Sequence, residues 1–296
     1  MFLLQLKKDF VNFISFVKKP NDFQLKIPTK RKFSMVFSLL IIEIIFTLII
    51  IYPILILTNK IIPLKNNDFI IPDTLDTLLV TFLLYVIVVP AIEELVLRYP
   101  LRYNKLFSKL ITPEKWNRIF PFLVYFLATI FGFLHLTNYT NDSWKFYAIS
   151  PLIISTQLIA GFILSYIRVR LNMFYSLLYH GIWNALFGIV VSFVSLTFND
   201  HYSHSGKNYD IKIQEQLYFH KNKPKTLKLN KTADKIYILE AQQYLLQKIS
   251  DTIYGKGKYI TDEARININF KSEAGVSKEE FRKILQEKYT IDTAVE

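Results

Sequence analysis

The residues best suited to chemistry in this sequence are two adjacent glutamates followed by an arginine, Glu93-Glu94-x-x-x-Arg98. They lie at one end of an apolar segment, where ionisable groups are costly and are therefore functional candidates. The i, i+4 spacing favours an ion pair between Glu94 and Arg98, which leaves Glu93, about 100° around the helix, free to face another group. Pro90 is expected to kink the helix one turn earlier and make room for water. The alternative is an interfacial position, with Arg98 snorkelling and both glutamates solvated.

Two further polar clusters lie in later apolar segments. His135 follows Phe131 by one helical turn, and His180 and Asn184 share one helix face, with Ser176 one turn earlier. A single histidine in a membrane helix is more often an interhelical hydrogen-bonding group than a catalyst. Three apolar segments that each carry such a cluster instead favour one shared site.

These side chains allow more than one kind of chemistry. A carboxylate base with amide and imidazole donors suits hydrolysis through an oxyanion, whereas Glu93, His135 and His180 together would suit zinc with an open coordination position. The HExxH spacing of common zinc peptidases is absent, and no carboxylate is evident behind either histidine, which favours a site without metal. A serine route through Ser176 and His180 is disfavoured because both lie on one helix without an evident orienting acid.

Composition excludes several other classes of protein. The 296-residue chain has no Cys, which excludes disulfide scaffolds, thiol nucleophiles and thiolate metal sites, and its eight Gly form no phosphate-binding loop. Lys and Arg outnumber Asp and Glu by 36 to 24. Most of this excess lies in short loops beside apolar segments, so it indicates membrane topology and no nucleic-acid partner.

Five apolar segments are long enough to cross a bilayer, for which a helix needs about 20 residues. They are continuous in Ile, Leu and Phe and lack the i, i+3, i+4 stripe of helices on a soluble core. We therefore predict an all-α integral membrane bundle of about five transmembrane helices. In the third segment, Ala128 and Gly132 form a small-xxx-small face for close helix packing. The predicted spans are residues 37–58, 77–97, 119–136, 147–167 and 173–198.

Loop charge predicts how these spans are oriented. Sixteen Lys and Arg precede the first span or follow the second and fourth, against three in the opposite loops. Because basic residues are retained inside, we expect a multi-pass protein of the cytoplasmic membrane with its N-terminus cytoplasmic and, after five crossings, its tail outside. The basic, aromatic stretch 1–19 is expected to lie as an interfacial helix on anionic lipid.

A length estimate indicates that the polar clusters can meet. Counted from an expected helix start at Thr112, Glu93 and His135 both lie roughly 30 Å along their helices at about 1.5 Å per residue. His180 lies near mid-depth by the same arithmetic. A shared buried cavity is therefore compatible with the chain.

The C-terminal part of the chain is polar and carries shorter patterns. Residues 210–219 and 264–270 alternate like half-buried strands, the stretch around Leu246 indicates a helix, and Ser277-x-x-Glu280 is a capping box before another helix. These patterns predict a soluble α+β domain of unknown role. The predicted organisation is a basic cytoplasmic segment 1–33, a membrane domain 34–198 and a tail 199–296.

The ordered set EExxxR, FxxxH and HxxxN, which begins at Glu93, Phe131 and His180, resembles the motifs of the CPBP family of intramembrane proteases, also called the CAAX protease and bacteriocin-processing or Abi family. Each motif alone is weak, but their order on apolar segments, with one further span between the second and third, is specific. The resemblance covers roughly residues 77–194. It implies an endopeptidase that hydrolyses membrane proteins or peptides within the membrane.

The resemblance also implies a role for each motif residue. Glu93 would be the general base that activates water, and His135 would help to hold that water. His180 and Asn184 would stabilise the oxyanion. Both metal-dependent and metal-free mechanisms are attributed to the family, so zinc stays open as the less favoured alternative to a site without cofactor. The residues that would position the site are Glu94, Arg98 and Phe131.

Two other functions stay open beside the protease. One is a non-proteolytic member of the family that serves as a binding scaffold or immunity protein. The other is a small proton-coupled transporter, in which Glu93, His135 and His180 form a relay. The three intact motifs favour the enzyme over the scaffold, and the lack of a detectable internal repeat weighs against many transporters.

Overall fold

The computed structural model of the protein describes residues 2–64, 75–190, 202–215, 225–262 and 264–293. The chain divides into two compact units. The helical unit comprises Met1–Asp68 and Leu83–Leu186, and the sheet unit comprises Phe69–Phe82 and Phe187–Glu296.

Nine described α-helices precede the sheet, and five of them adjoin wider π-type turns at Thr47–Ile51, Leu84–Val88 and Ala185–Val190. The helices are α1 (Phe2–Lys18), α2 (Thr29–Phe46), α3 (Tyr52–Ile61), α4 (Leu75–Leu83), α5 (Val89–Leu97), α6 (Pro113–Leu134), α7 (Trp144–Ile153), α8 (Ser155–Arg170) and α9 (Met173–Asn184).

Four of the described helices are long and apolar enough to cross a membrane, and a fifth span results if α7 and α8 count as one. The prediction of about five membrane helices is confirmed to that extent. The first span, Thr29–Ile61, is longer than the predicted 37–58. The last ends at Val190, and residues 191–198 of its predicted range lie outside the described residues.

The bend of 43° between α7 and α8 follows Pro151, which lies inside α7. Proline has no N–H to donate to the carbonyl four residues earlier, that of Tyr147. The Ser150 hydroxyl donates to this carbonyl instead, over 2.8 Å. The polar group that proline leaves free is therefore satisfied locally, and the chain turns into α8.

The predicted small-residue face of α6 is where α8 packs. A Cβ atom on Gly161 of α8 would lie 2.9 Å from the carbonyl oxygen of Ala128, and one on Gly132 would lie 2.4 Å from Cδ2 of Leu158. Side chains at either glycine would push the helices apart. Their absence brings the first turn of α8 against the end of α6, next to His135.

The sheet unit contains two antiparallel sheets and two amphipathic helices. Its elements are β1 (Tyr202–Ser205), β2 (Asp210–Glu215), β3 (Thr226–Lys231), β4 (Lys235–Leu245), α10 (Leu246–Tyr254), β5 (Tyr259–Thr261), β6 (Arg265–Ser277), α11 (Lys278–Gln286) and β7 (Ile291–Thr293). The larger sheet has the order β1-β2-β6-β4-β3, and β5 pairs with β7.

Alternating side chains build the core of this unit. Ile211 and Ile213 of β2 and Phe270 of β6 are buried together with Ile249 of α10 and Phe281 of α11. The strand predicted at 210–219 is present over 210–215, and residues 216–219 lie outside the described residues. The pattern at 264–270 begins the longer β6, and both predicted helices form, whereas β1, β3 and β4 were not predicted.

Candidate active site

The Glu94 carboxylate on α5 is the most enclosed acidic group of the candidate site, with no exposed surface. Its Oε1 lies 3.2 Å from Nδ1 of His180 and 3.7 Å from Nε of Arg98. Its Oε2 accepts a hydrogen bond from the Ser176 hydroxyl on α9. The predicted pair of Glu94 with Arg98 therefore forms inside the protein, and the same carboxylate ties α5 to α9.

Arg98 is fully buried as well, so the interfacial alternative with a snorkelling arginine is wrong. Its guanidinium lies 4.1 Å from the centre of the Phe131 ring, which is a cation–π contact. Its side-chain nitrogens have no hydrogen-bond partner among the described residues. The charge of Arg98 is therefore balanced by the nearby Glu94 and by the face of the ring.

Glu93 faces the other nitrogen of the same histidine. Its Oε2 lies 3.4 Å from Nε2 of His180, and 26% of its side chain is exposed. His180 is thus held between two carboxylates, Glu94 at Nδ1 and Glu93 at Nε2. The Glu94 carboxylate is enclosed by buried groups, and the Glu93 carboxylate is partly exposed.

His135 stands where α6 ends, and its ring is fixed by its own helix. Nδ1 lies 2.8 Å from the carbonyl oxygen of Phe131, one of the last helical carbonyls, which have no backbone partner within the helix. A carbonyl only accepts, so Nδ1 carries the proton and Nε2 of the neutral ring can accept a hydrogen bond. The Phe131 ring contacts both histidines, with its centre 4.7 Å from the His135 ring and 5.7 Å from the His180 ring.

Asn184 donates a hydrogen bond from Nδ2 to the carbonyl of Tyr85, over 2.9 Å. Tyr85 lies in the π-type turn Leu84–Val88, just before Pro90. In such a turn the carbonyl of residue 85 faces the nitrogen of residue 90, and proline has no N–H. The helix is therefore disturbed before Pro90 as a wide turn, and Asn184 donates to a carbonyl of that turn.

A cavity of about 130 Å³ joins these groups, large enough for several water molecules. It is flanked by polar side chains from three helices and closed by aromatic and aliphatic ones. Glu93 and Glu94 are not among its lining residues, although both contact His180, which is. The lining residues are Phe131, His135, Thr156, Gln157, Ala160, Leu164, Tyr179, His180, Trp183 and Asn184.

The zinc alternative would need at least three protein ligands close together. Among the residues that the structure describes, no group of three or more His, Asp or Glu side chains is arranged to hold a metal ion. The sequence-based statement that neither histidine has a carboxylate behind it is wrong, because Glu94 lies at Nδ1 of His180. The same carboxylate receives the Ser176 hydroxyl, so this serine is directed to an acid and not to the histidine.

The sequence analysis missed six of the residues that line the cavity, and three of these carry a hydroxyl or side-chain amide group. Thr156 and Gln157 lie in the first turn of α8, and Tyr179 lies beside His180. The Tyr179 hydroxyl donates to Glu43 of α2, a carboxylate that is also buried. The rule that polar groups inside apolar spans mark sites would have selected Gln157 and Glu43.

Residues 75–186 match the family described as type II CAAX prenyl endopeptidase Rce1-like. This family belongs to the CPBP/Abi family, so the resemblance stated above is confirmed over this segment. The matched segment contains every motif residue from Glu93 to Asn184 but neither Glu43 nor residues 187–296. The comparisons with curated proteins and with solved structures give no match.

The apolar helices support a multi-pass membrane protein, and residues 75–186 are similar to the CAAX prenyl endopeptidase family. Proposals about the protein's catalytic type and its substrate depend on the geometry of the site.

Proposed function

We propose that the protein is an intramembrane endopeptidase that hydrolyses peptide bonds of membrane-associated proteins or peptides, with water activated by a glutamate. The observation that carries this proposal is the cavity between His135 and His180, with the half-exposed Glu93 at Nε2 of His180. A space for water, a carboxylate and two oriented imidazoles are the components of a hydrolytic site.

In this mechanism Glu93 is the general base. It removes a proton from water as the water oxygen attacks the carbonyl carbon of the substrate, and Nε2 of His135 accepts the second hydrogen of that water and orients it. Glu93 then returns the proton to the amide nitrogen as the carbon–nitrogen bond breaks. One water is consumed, and a carboxylate and an amine are formed.

His180 and Asn184 stabilise the oxyanion. One N–H of the Asn184 amide is taken by the Tyr85 carbonyl, and the second faces the substrate. Glu94, with Ser176 and Arg98 around it, holds the His180 ring in place. Such preorganised donors are strong where water is excluded.

The proposed reaction uses no metal. A metal-dependent reaction would need ligands other than the present arrangement of Glu93, His135 and His180. We expect activity in proteoliposomes to survive excess chelator after prolonged dialysis. Loss of activity that returns with added zinc would refute the metal-free mechanism and leave the endopeptidase assignment intact.

The orientation in the membrane is part of the proposal. The apolar residues Phe2, Leu3 and Leu4 of α1 are exposed, beside Lys7 and Lys8, which supports an interfacial helix on anionic lipid. We place the N-terminus in the cytoplasm and the soluble tail outside. Reporter fusions after residue 296 test this placement, and a cytoplasmic reporter would require an even number of crossings.

The decisive experiment measures cleavage of a prenylated CAAX peptide by the purified full-length chain in proteoliposomes. We expect Glu93→Gln to reduce kcat by about 10³-fold or more, because the base is lost while the size of the side chain is kept. Glu114→Gln, an exposed acid on α6, is the matched control and should retain wild-type activity. Comparison of membrane proteomes from cells with either variant covers substrates other than the peptide. Wild-type cleavage by Glu93→Gln, or no cleavage by any form, would contradict the proposal and favour a scaffold.

A further inference from the structure

The donors expected to stabilise the oxyanion are largely engaged elsewhere. Both ring nitrogens of His180 face carboxylates, at 3.2 Å and 3.4 Å, and Asn184 donates one N–H to the carbonyl of Tyr85. In the neutral His135 ring, Nε2 accepts and does not donate. Of these donors, one amide N–H of Asn184 can reach negative charge on a substrate without a change of partner, whereas His180 must first give up one of its carboxylate contacts.

Gln157 provides a second source of donors on another wall of the cavity. Its side-chain oxygen accepts a hydrogen bond of 2.7 Å from the Thr156 hydroxyl, which fixes the orientation of the amide. Its NH₂ group has no hydrogen-bond partner among the described residues. Both residues line the cavity.

The ordinary role of a glutamine in a membrane helix is a hydrogen bond to another helix. Gln157 does not have this role within the described residues, because its partner Thr156 precedes it on the same helix. A polar side chain that does not join helices is expensive inside an apolar bundle. Binding of a polar ligand in the cavity would explain its presence.

The packing of α8 sets where this amide lies. Leu158 rests directly on Gly132, where a Cβ would approach it to 2.4 Å, so the residue before Leu158 is held near the end of α6 and His135. Gln157 also lies in the first turn of α8, where the helix dipole favours negative charge.

We propose that Gln157 is a further catalytic residue, whose amide donates to the carbonyl oxygen of the scissile peptide bond as that oxygen becomes negative. Thr156 is its positioning residue. The proposal rests on the proposed endopeptidase function and assigns to α8 a part in the reaction that none of the three motifs contains. The ligand it recognises is a peptide group.

The test compares Gln157→Leu and the isosteric Gln157→Glu with Ser155→Ala in the same proteoliposome assay. Ser155 is two residues away, and its hydroxyl donates to the Leu152 carbonyl outside the cavity. Loss of one oxyanion donor typically reduces kcat by about 10²–10³-fold, so we expect both Gln157 variants to lose kcat by this factor with KM nearly unchanged. Thr156→Val should lose kcat by about tenfold, and Ser155→Ala should retain wild-type kcat.

Two further measurements distinguish a failure of the inference from misfolding of a variant and from a failure of the proposed function. Thermal unfolding in detergent identifies which variants are folded, and the inference is overturned if any folded Gln157 variant keeps kcat within threefold of wild type, or if KM rises while kcat is unchanged. If Glu93→Gln is inactive while Gln157→Leu is active, the inference fails and the proposed function stands. If Glu93→Gln is active, the proposed function itself fails.

Discussion

The two units of the chain bury different kinds of side chain. In the sheet unit, Arg265 is the one buried ionisable residue among those described, beside a continuous apolar core. The helical unit buries six such groups, although its helices are apolar enough to cross a membrane. They are Asp9, Glu43, Glu94, Arg98, Arg170 and His180.

This difference indicates that the buried charged residues of the helical unit serve chemistry, whereas the apolar core of the sheet unit serves packing. A buried charge costs several kcal/mol unless it is paired and hydrogen-bonded, and apolar residues of similar volume often stabilise a fold as well or better. Compactness alone therefore does not account for Glu94 and Arg98. In the sheet unit, side chains that alternate along the strands build the described apolar core. This unit is an example of the pattern that packing alone requires.

Arg98→Met should have the largest effect on the free energy of unfolding in the helical unit. The change leaves Glu94 buried without its cationic neighbour, and breaking a buried pair in this way typically costs about 3–5 kcal/mol. Thermal unfolding in detergent measures the loss, and cleavage should fall with it because Glu94 holds His180. Arg118→Met removes an exposed charge from α6 and serves as the control. Equal stability of the two variants would show that the buried pair contributes nothing.

Phe270→Ala should have a comparable or slightly smaller effect, restricted to the sheet unit. Phe270 is fully buried, and its ring centre lies 4.7 Å from that of Phe281, so truncation removes core contacts at about 3–5 kcal/mol. We expect the cleavage rate at low temperature to stay at the wild-type level. Ile260→Ala, at an exposed position, is the control. A loss of cleavage in a folded Phe270 variant would break the separation between packing and chemistry.

Much of the fold could be predicted because local patterns decide it. Thr112 caps α6 as expected and accepts a hydrogen bond from the backbone N–H of Lys115. The small face at Ala128 contacts α8, and continuous apolar runs mark the spans. Strand β3 was missed although Leu227 and Leu229 alternate with polar residues as in β2, and β4 was missed because its apolar residues at 236–239 are consecutive and hide the alternation.

The candidate site could be predicted less completely, for a physical reason. Spacing indicates neighbours on one helix, such as Glu94 and Arg98, but contacts between helices depend on how each helix is distorted. The hydrogen bond from Asn184 reaches the carbonyl of Tyr85, which lies in a π-type turn before Pro90. The bond from Ser176 to Glu94 likewise joins residues 82 positions apart. No single-helix pattern reveals such pairs.

Tyr179→Phe should have an intermediate effect. It removes the hydroxyl that donates to Glu43, and the second carboxylate oxygen of Glu43 already has no partner among the described residues. Leaving a buried acceptor unsatisfied costs about 1–3 kcal/mol. Unfolding in detergent measures this loss. Tyr175→Phe, on the same helix, is the control. An equal change in the free energy of unfolding of both variants would mean that the hydrogen bond to Glu43 does not stabilise the fold. A measurable loss would extend the set of stabilising buried carboxylates beyond the matched segment.

Ser277→Ala should have the smallest effect of the series. The Ser277 hydroxyl accepts a hydrogen bond of 3.1 Å from the backbone N–H of Glu280 and so caps α11. Loss of such a cap costs about 1 kcal/mol, and Ser203→Ala on the exposed side of β1 is the control. Denaturant unfolding of the sheet unit within the full chain detects a shift of this size. If the shift is absent, α11 is held by its apolar face at Phe281 alone. If the loss in the free energy of unfolding is as large as that of Phe270→Ala, polar contacts matter as much in the sheet unit as in the helical unit. The contrast between the two units would then be wrong.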